Sequence, residues 1–160
     1  MKERIGKASY YLGIAKQVAK RGTCIRRNFG AVIIKKDVVL SMGYSGAPRG
    51  TPNCIDIKKC LREQKGIASG KSYELCRGVH AELNSIIYAA RAGVSTIDST
   101  MFIAGADDLS SPQPCNVCKR VIINAGIKRV FILKDNKIFE YDVQRWVKEN
   151  KKDPFSDINN

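Results

Sequence analysis

The sequence predicts a single α/β layered domain, in which helices cover the faces of a β-sheet. The chain has 160 residues, of which 44% are apolar, and this is enough for one hydrophobic core. Amphipathic helical segments alternate along it with short runs rich in β-branched residues. Their order, a hairpin followed by helix, strand, helix and strand, is typical of a sheet with helices packed on its faces.

The first predicted elements are a helix and a hairpin. Apolar residues recur at helical spacing over residues 7–21, and Gly22 follows where a helix would end. Two β-rich runs come next, at 30–34 and 38–42, and a short polar segment separates them. This pattern predicts two strands joined by a tight turn.

Two irregular segments follow the hairpin. Residues 43–52 contain too many glycines and prolines for a helix or a strand, so they predict a loop. Residues 53–76 are charged and irregular, which predicts an excursion from the core. Loops on a rigid scaffold often contact ligands, although a loop can equally serve only as a connection.

A buried helix is predicted after the excursion, with Gly93 at its end. Its apolar face is predicted to contain Val79, Leu83, Ile86, Ile87 and Ala90. A buried strand follows at 101–104, and a polar, turn-rich segment at 107–114 leads to a second helix. This helix is predicted to begin at Cys115 and to end before Gly126.

The last predicted elements are a buried strand at 128–133, a short edge strand at 137–141 and an amphipathic helix at 142–150. Trp146 of this helix is expected to pack in the core rather than to stack on a ligand.

One domain is expected over residues 1–150, followed by a polar tail at 151–160. No apolar run has the length of a signal peptide or a membrane span, so a cytoplasmic protein is expected. There, six cysteines favour metal ligands or reduced thiols over disulfides. The formal charge of +13 attracts anions, either free nucleotides or nucleic acid, but a solvated basic surface explains it equally well.

Two short motifs, His-Ala-Glu and Pro-Cys-Asn-Val-Cys, contain the candidate chemistry. His80, the only histidine, and the pair Cys115 and Cys118 are candidate metal ligands. One imidazole and two thiolates suit a tetrahedral Zn²⁺ with a fourth position left for water. Glu82, two residues after the imidazole, is the candidate proton carrier.

Both motifs are predicted at helix N-termini, where unpaired N–H groups and the helix dipole favour the thiolate form that binds metal. The pattern H-x-E followed by P-C-x-x-C is typical of zinc-dependent nucleobase deaminases. The alternatives are a purely structural zinc, or reduced cysteines that lie together by chance.

Further segments resemble a known family. They are residues 24–33 (CIRRNFGAVI), 43–50 (GYSGAPRG) and 124–127 (NAGI). Together with the two motifs, they make the chain similar to the deoxycytidylate (dCMP) deaminases of the cytidine deaminase-like superfamily over about residues 7–135. The resemblance implies a three-layer α/β/α sandwich with a mixed five-stranded sheet.

The resemblance also implies an activity and a set of partners. The reaction is hydrolysis of dCMP to dUMP and ammonia, with catalytic zinc on His80, Cys115 and Cys118 and proton transfer by Glu82. Regulation by dCTP and dTTP and assembly into a homo-oligomer, often a hexamer, are implied as well. Neither a membrane nor a nucleic acid is an expected partner.

Four more cysteines resemble those that hold a second, structural zinc in bacterial members of the family. They are Cys24, Cys54, Cys60 and Cys76. A closed site of four thiolates would tie the excursion to the hairpin. The alternative is a set of ordinary, partly buried thiols.

Candidate substrate contacts are Arg26 for the 5′-phosphate, Asn28 for the sugar and the N–H group of Ala81 for the base carbonyl. Candidate phosphate or effector contacts are Tyr44, Ser45, Arg49 and Arg91. Ser45 stands where the family usually has Asn, and residues 104–114 are longer than the family's usual approach to the first cysteine.

Three classes of function are therefore compared. The first is a dCMP deaminase, and the second is a deaminase that edits adenosine in tRNA, which the positive charge would suit. The third is a zinc-stabilised nucleic-acid-binding module without catalysis. Other small-molecule deaminases of the superfamily remain further alternatives.

Overall fold

The strands form one mixed sheet, as predicted. A computed structural model of the chain describes residues 3–68, 70–107 and 112–152. The strands are β1 (Phe29–Lys35), β2 (Val38–Tyr44), β3 (Thr100–Gly105), β4 (Arg129–Lys134) and β5 (Lys137–Asp142). Their order in the sheet is β2-β1-β3-β4-β5. Strand β5 lies at the end of this order, so it is an edge strand as expected. The β3–β4 pair is parallel, and the other three pairs are antiparallel.

Helices lie on both faces of this sheet and complete three layers. They are α1 (Lys7–Ala19), α2 (Cys54–Ile57), α3 (Leu61–Gln64), α4 (Ala81–Arg91), α5 (Asn116–Asn124) and α6 (Val143–Lys152). The side chains of α1 pack with one face of β1 and β3, and those of α4, α5 and α6 pack with the other. The predicted α/β/α sandwich is confirmed.

The predicted hairpin is confirmed, although its turn contains neither Gly nor Asn. Lys36 and Asp37 both have positive φ, at 50° and 62°. Such an angle is uncommon for lysine, whereas aspartate adopts it more readily. Tyr11 donates a hydrogen bond of 3.2 Å to the carbonyl oxygen of Asp37, and Lys7 pairs with its carboxylate. Contacts from α1 therefore help to hold the turn.

The predicted apolar face of α4 is partly wrong. Ile87 is 45% exposed and Ala90 is also exposed. The buried residues are instead mostly small or polar: Ala81, Glu82, Asn84, Ser85 and Ala89. The reason is the close packing of α4 on β2, where Ser41 Oγ donates a hydrogen bond of 2.6 Å to the Ser85 carbonyl oxygen. A large side chain on this face would separate the helix from the strand.

Gly43 of β2 allows this close approach, and we expect Gly43→Ala to destabilise the protein. A Cβ atom at this position would lie 2.7 Å from the Ala81 carbonyl oxygen and closer still to the Ser85 nitrogen. Such overpacking against backbone is expected to lower the free energy of unfolding by about 1–3 kcal/mol. Urea unfolding followed by circular dichroism measures this change.

Gly13→Ala is the matched control, because Gly13 lies within α1 and a Cβ atom there meets nothing within 4 Å. We expect it to raise the free energy of unfolding by up to about 1 kcal/mol, since alanine favours a helix. An equal effect of the two substitutions would contradict the close packing of α4 on β2.

The excursion contains little regular structure, as predicted. Besides the one-turn helices α2 and α3, it has a 3₁₀ helix at Tyr73–Leu75. Asn53 and Asp56 form a capping box at the start of α2, in which each side chain bonds the other residue's backbone.

The end of the chain differs slightly from the prediction. Trp146 is 5% exposed and belongs to the core, as expected. Helix α6 continues to Lys152, two residues beyond its predicted end, and the rest of the predicted tail lies outside the described residues. The same holds for 108–111 of the predicted turn-rich connection. Within the described ranges, no helix is long and apolar enough to cross a membrane.

Candidate active site

The three predicted metal ligands meet beside the sheet. The Nδ1 atom of His80 lies 3.3 Å from the sulfur of Cys118 and 3.6 Å from the sulfur of Cys115. All three ligand atoms lie within 4.8 Å of one another. Among the residues that the structure describes, no other group of three or more His, Cys, Asp or Glu side chains has this arrangement.

Helix termini position these ligands. His80 is the N-cap residue of α4, and Cys115 is the N-cap residue of α5. The sulfur of Cys115 accepts a hydrogen bond from the N–H group of Cys118 at 3.5 Å. The residue before His80 is also held, because Val79 and Gly46 exchange two backbone hydrogen bonds of 2.7 and 3.1 Å. The loop after β2 therefore helps to place the imidazole.

The spacing of the three ligand atoms fits Zn²⁺. Zinc binds nitrogen at about 2.0–2.1 Å and thiolate sulfur at about 2.3 Å, which in a tetrahedron places nitrogen and sulfur about 3.6 Å apart. The two distances from His80 Nδ1, 3.3 and 3.6 Å, agree with this value. The donor set of one imidazole and two sulfurs also suits zinc better than Mg²⁺ or Ca²⁺, which prefer oxygen.

The two thiols differ in acidity because they share a hydrogen bond. Donation by Cys118 lowers the pKa of Cys115 to about 4, and His80 also favours its thiolate. The same hydrogen bond and burial raise the pKa of Cys118 above its ordinary value. The hydrogen bond with Cys115 raises the pKa of His80, which burial opposes. One thiolate is thus already favoured beside the imidazole.

Glu82 lies in the first turn of α4 and is 6% exposed. Burial raises the pKa of its carboxyl group above the ordinary value, and the charge of His80 partly opposes this. A carboxyl group with a raised pKa can both accept and donate a proton near neutral pH. Its position and acidity therefore suit the predicted role of proton carrier.

A cavity of about 750 Å³ opens beside these residues, and His80, Glu82 and Cys115 line its wall. Its size is in the usual range for small-molecule sites. Five cationic side chains also line it: Arg26, Arg27, Lys59, Arg62 and Arg77. Among the described residues, two acidic side chains do so, Glu74 and Glu82. The cavity therefore favours an anionic ligand.

Residues 6–134 match the family model described as the cytidine and deoxycytidylate deaminase zinc-binding region. The chain belongs to this family. The match includes both motifs of the candidate metal site and the predicted proton carrier.

Similar curated proteins come from phage, fungi and bacteria. Deoxycytidylate deaminase of Mycobacterium phage D29 is 34% identical over 132 residues, which cover 79% of this chain and 94% of the phage protein. Deoxycytidylate deaminase of Schizosaccharomyces pombe is 33% identical over 76% of this chain, but the match spans only 35% of the yeast protein. ComE operon protein 2 of Bacillus subtilis is 32% identical over 87% of this chain and 65% of that protein.

Solved structures confirm the deaminase fold. The dCMP deaminase of cyanophage S-TIM5, crystallised with dCMP and dUMP, aligns with a TM-score of 0.61 at 23% identity over 82% of this chain and 83% of that one. Cytidine deaminase of Burkholderia pseudomallei aligns with a TM-score of 0.59 at 15% identity over 88% and 95% of the two chains. At these identities the likeness concerns the architecture alone.

The predicted substrate contacts differ in whether they line the cavity. Arg26 lines it, and Ala81 is fully buried as the first residue of α4, directly after His80. The amide of Asn28 instead bonds the backbone of Cys24, accepting from its N–H at 2.9 Å and donating to its carbonyl at 3.0 Å. Asn28 is not among the cavity-lining residues, so its contact with a sugar stays a prediction.

Two of the predicted phosphate or effector contacts lie together, outside the cavity that the metal ligands line. Arg49 and Arg91 border a shallow depression of about 300 Å³ with Tyr88, and the Arg49 guanidinium lies 4.7 Å from the centre of the Tyr88 ring. This arrangement places two cations and an aromatic ring on the surface outside the large cavity.

The other two predicted effector contacts stabilise the start of the loop. The buried hydroxyl of Ser45 accepts a hydrogen bond of 3.1 Å from the Phe29 N–H group and lies 3.3 Å from the Phe29 carbonyl oxygen. The Tyr44 carbonyl oxygen accepts a hydrogen bond of 2.8 Å from Asn84. Ser45 also lines the large cavity, whereas Tyr44 does not.

The four remaining cysteines all line the same cavity. Burial raises the pKa of Cys54, and Cys24, Cys76 and Cys60 lie near enough to raise it further. No three of these sulfur atoms come within 4.8 Å of one another in the described structure. The segments that contain them would therefore have to move closer to form a closed metal site.

Sequence reasoning missed two residues beside the metal ligands. Tyr73 makes an edge contact with the His80 ring, with 4.7 Å between ring centres, and Arg62 lies over the Tyr73 ring at 4.6 Å. Both residues belong to the irregular excursion, where no periodic pattern distinguishes a buried side chain from an exposed one. The only local signal is the number of cations in that segment.

Proposed function

We propose that this chain is a zinc-dependent hydrolase that converts dCMP to dUMP and ammonia. The observation that carries the proposal is the meeting of His80, Cys115 and Cys118 within 4.8 Å, in the wall of a cavity that also contains buried Glu82. The names of the similar phage and yeast proteins support dCMP as the substrate.

His80, Cys115 and Cys118 are the proposed ligands, and zinc bound there would supply a Lewis acid that activates water near neutral pH. Glu82 accepts the proton that the attacking water loses and passes it to the ring nitrogen of the base. It then takes the proton of the hydroxyl group that has been added to the ring carbon and transfers it to the departing amine, so that ammonia leaves and a carbonyl group replaces the amine. The burial of Glu82 keeps bulk water from competing for these protons.

The cations of the cavity are proposed to bind the 5′-phosphate. Arg26 was predicted for this role, and Arg27, Lys59 and Arg77 line the same space. Guanidinium groups bind phosphate through paired, charge-assisted hydrogen bonds. The cavity therefore favours a nucleotide over an uncharged nucleoside.

A substrate panel tests the proposal. Purified protein is incubated with dCMP, dCTP, cytidine and a tRNA substrate, and the products are measured by ultraviolet absorbance and, for tRNA, by inosine content. We expect conversion of dCMP and loss of activity when a chelator removes the metal. Conversion of cytidine without dCMP, or inosine in tRNA, would contradict the proposed substrate, and activity that survives complete metal removal would contradict the mechanism. Addition of dCTP or dTTP to the dCMP assay tests the predicted effectors, for which Arg49 and Arg91 are the candidate contacts.

A second, structural zinc on Cys24, Cys54, Cys60 and Cys76 is also proposed. All four thiols line one cavity, and Cys24, Cys60 and Cys76 raise the pKa of Cys54. A bound ion would draw the excursion onto the hairpin, since tetrahedral thiolates around zinc lie about 3.8 Å apart. The ion would thereby order the part of the cavity wall that contains these four cysteines.

Assembly into a homo-oligomer stays a prediction, as does a cytoplasmic location. Exposed apolar side chains on the edge strand β2, among them Val38 and Met42 at 59% and 47% exposure, would favour self-association.

A further inference from the structure

A stack of three side chains leads from the excursion to the candidate metal ligand. The Arg62 guanidinium lies 4.6 Å from the centre of the Tyr73 ring, and this ring meets the His80 imidazole at 4.7 Å and an interplanar angle of 89°. A cation over a ring face and an edge-to-face ring pair are both attractive arrangements. The three groups therefore stabilise one another through two contacts, the first between Arg62 and Tyr73 and the second between Tyr73 and His80.

Arg62 anchors the stack. It is only 7% exposed, and its Nη2 atom donates hydrogen bonds of 2.9 and 2.6 Å to the carbonyl oxygens of Ala68 and Lys71. In the described part of the chain it pairs with no carboxylate, and its buried Nε has no hydrogen-bond partner. A buried guanidinium without an anion is costly, so the carbonyl bonds and the ring of Tyr73 are its main compensation.

The second ring nitrogen of the His80 imidazole has no carboxylate or carbonyl partner in the described part of the chain. Such a residue normally donates its second ring N–H to a carboxylate, a carbonyl or water, and this bond sets the ring orientation. Here Nδ1 faces the two sulfurs, and within the described ranges Nε2 forms no hydrogen bond with another residue. The ring of Tyr73 is the side-chain contact on the excursion side of the imidazole.

We infer that Tyr73 and Arg62 are positioning residues that hold the His80 imidazole in its metal-binding orientation. The inference rests on the proposed function only in that His80 binds zinc. Tyr73 acts on His80 directly, and Arg62 acts through Tyr73. The irregular excursion thus contributes to the catalytic metal site as well as to the cavity wall.

Zinc affinity tests this inference without relying on activity. We expect Tyr73→Leu to weaken zinc binding at the catalytic site by about 10–100-fold, the usual effect of removing a contact that orients a metal ligand. Tyr73→Phe keeps the ring and should retain the wild-type affinity. Leu75→Ala is the matched control, because it shortens an exposed side chain in the same 3₁₀ helix. Competition with a chromogenic chelator measures the zinc affinity of all three variants. Each variant also contains Cys60→Ser, which removes any second zinc site.

Cobalt spectra separate positioning from a general loss of structure. With Co²⁺ in place of zinc, the ligand-field bands of Tyr73→Leu should shift, while those of Tyr73→Phe and Leu75→Ala should match the parent protein. If Tyr73→Leu does not fold, zinc affinity and cobalt spectra are measured on Arg62→Gln instead. We expect Arg62→Gln to bind zinc more weakly as well. Unchanged zinc affinity and cobalt bands in a folded variant would overturn the inference. Tight, ring-dependent zinc binding in a protein that leaves dCMP unchanged would overturn the proposed function instead.

Discussion

Glu82→Gln is expected to lower kcat for dCMP by about 10²–10⁴-fold, the usual contribution of a positioned general acid and base. Glutamine has the shape of glutamate but cannot carry protons between water, ring nitrogen and amine. Zinc content should be unchanged, because Glu82 is not one of the three proposed ligands. Stability should also be retained, since burial already disfavours the charged carboxylate at this position.

Glu63→Gln is the matched control for this experiment. Glu63 lies exposed in α3, does not line the cavity and loses the same charge in the substitution. The kcat of the Glu63→Gln variant is expected to equal that of the wild type. If Glu82→Gln deaminates dCMP at the wild-type rate with zinc bound, another group moves the protons and the mechanism proposed above is wrong.

Cys118→Ser is expected to remove one zinc per chain and to reduce deamination to background. Cys118 is fully buried, and its sulfur lies 3.3 Å from the His80 Nδ1 atom, where it would bind the proposed zinc together with Cys115. A serine hydroxyl is a far weaker zinc ligand than a thiolate. The two side chains are similar in size, so the fold should persist without the ion. Metal analysis by mass spectrometry and the dCMP assay, performed on the same sample, measure both effects.

Cys60→Ser separates the two proposed zinc sites. Cys60 is the N-cap residue of α3, where serine is a favourable residue, so the substitution changes the thiol with little effect on the helix. With two sites, wild-type protein contains two zincs per chain, and each substitution removes one of them. With the catalytic site alone, Cys60→Ser contains the same single zinc as the wild type. A Cys118→Ser protein that contains as many zincs per chain as the wild type would contradict the catalytic site itself.

The order of elements could be predicted because each element has a local pattern. The strands contain runs of β-branched residues, and α1 and α5 end near glycines, so their positions agree with the structure to within a few residues. The apolar face of α4 could not be predicted in this way. Its burial depends on the close approach of Gly43 in a strand some forty residues earlier, which favours Ser85 over a larger side chain.

The candidate site likewise contains residues that could be predicted from the sequence and one contact that could not. His80, Glu82, Cys115 and Cys118 were predicted from residue types and short spacings, and the structure brings them together at two helix N-termini. The contact of Tyr73 with His80 had no such signal. Six residues lie between Tyr73 and His80 in the chain, and the contact of the two rings depends on how the excursion folds back.

By itself, the amino-acid sequence determined the chemistry of this protein: one imidazole, two thiolates and one carboxylate, each placed near the start of a helix by short-range patterns. Only the tertiary structure decided which side of α4 is buried, that Arg49 and Arg91 lie apart from the cavity, and that Arg62 and Tyr73 support His80. The physical reason is that metal-ligand chemistry and helix capping depend on neighbours in the chain. Burial and side-chain contact depend on segments that meet only when the sheet and the excursion have folded.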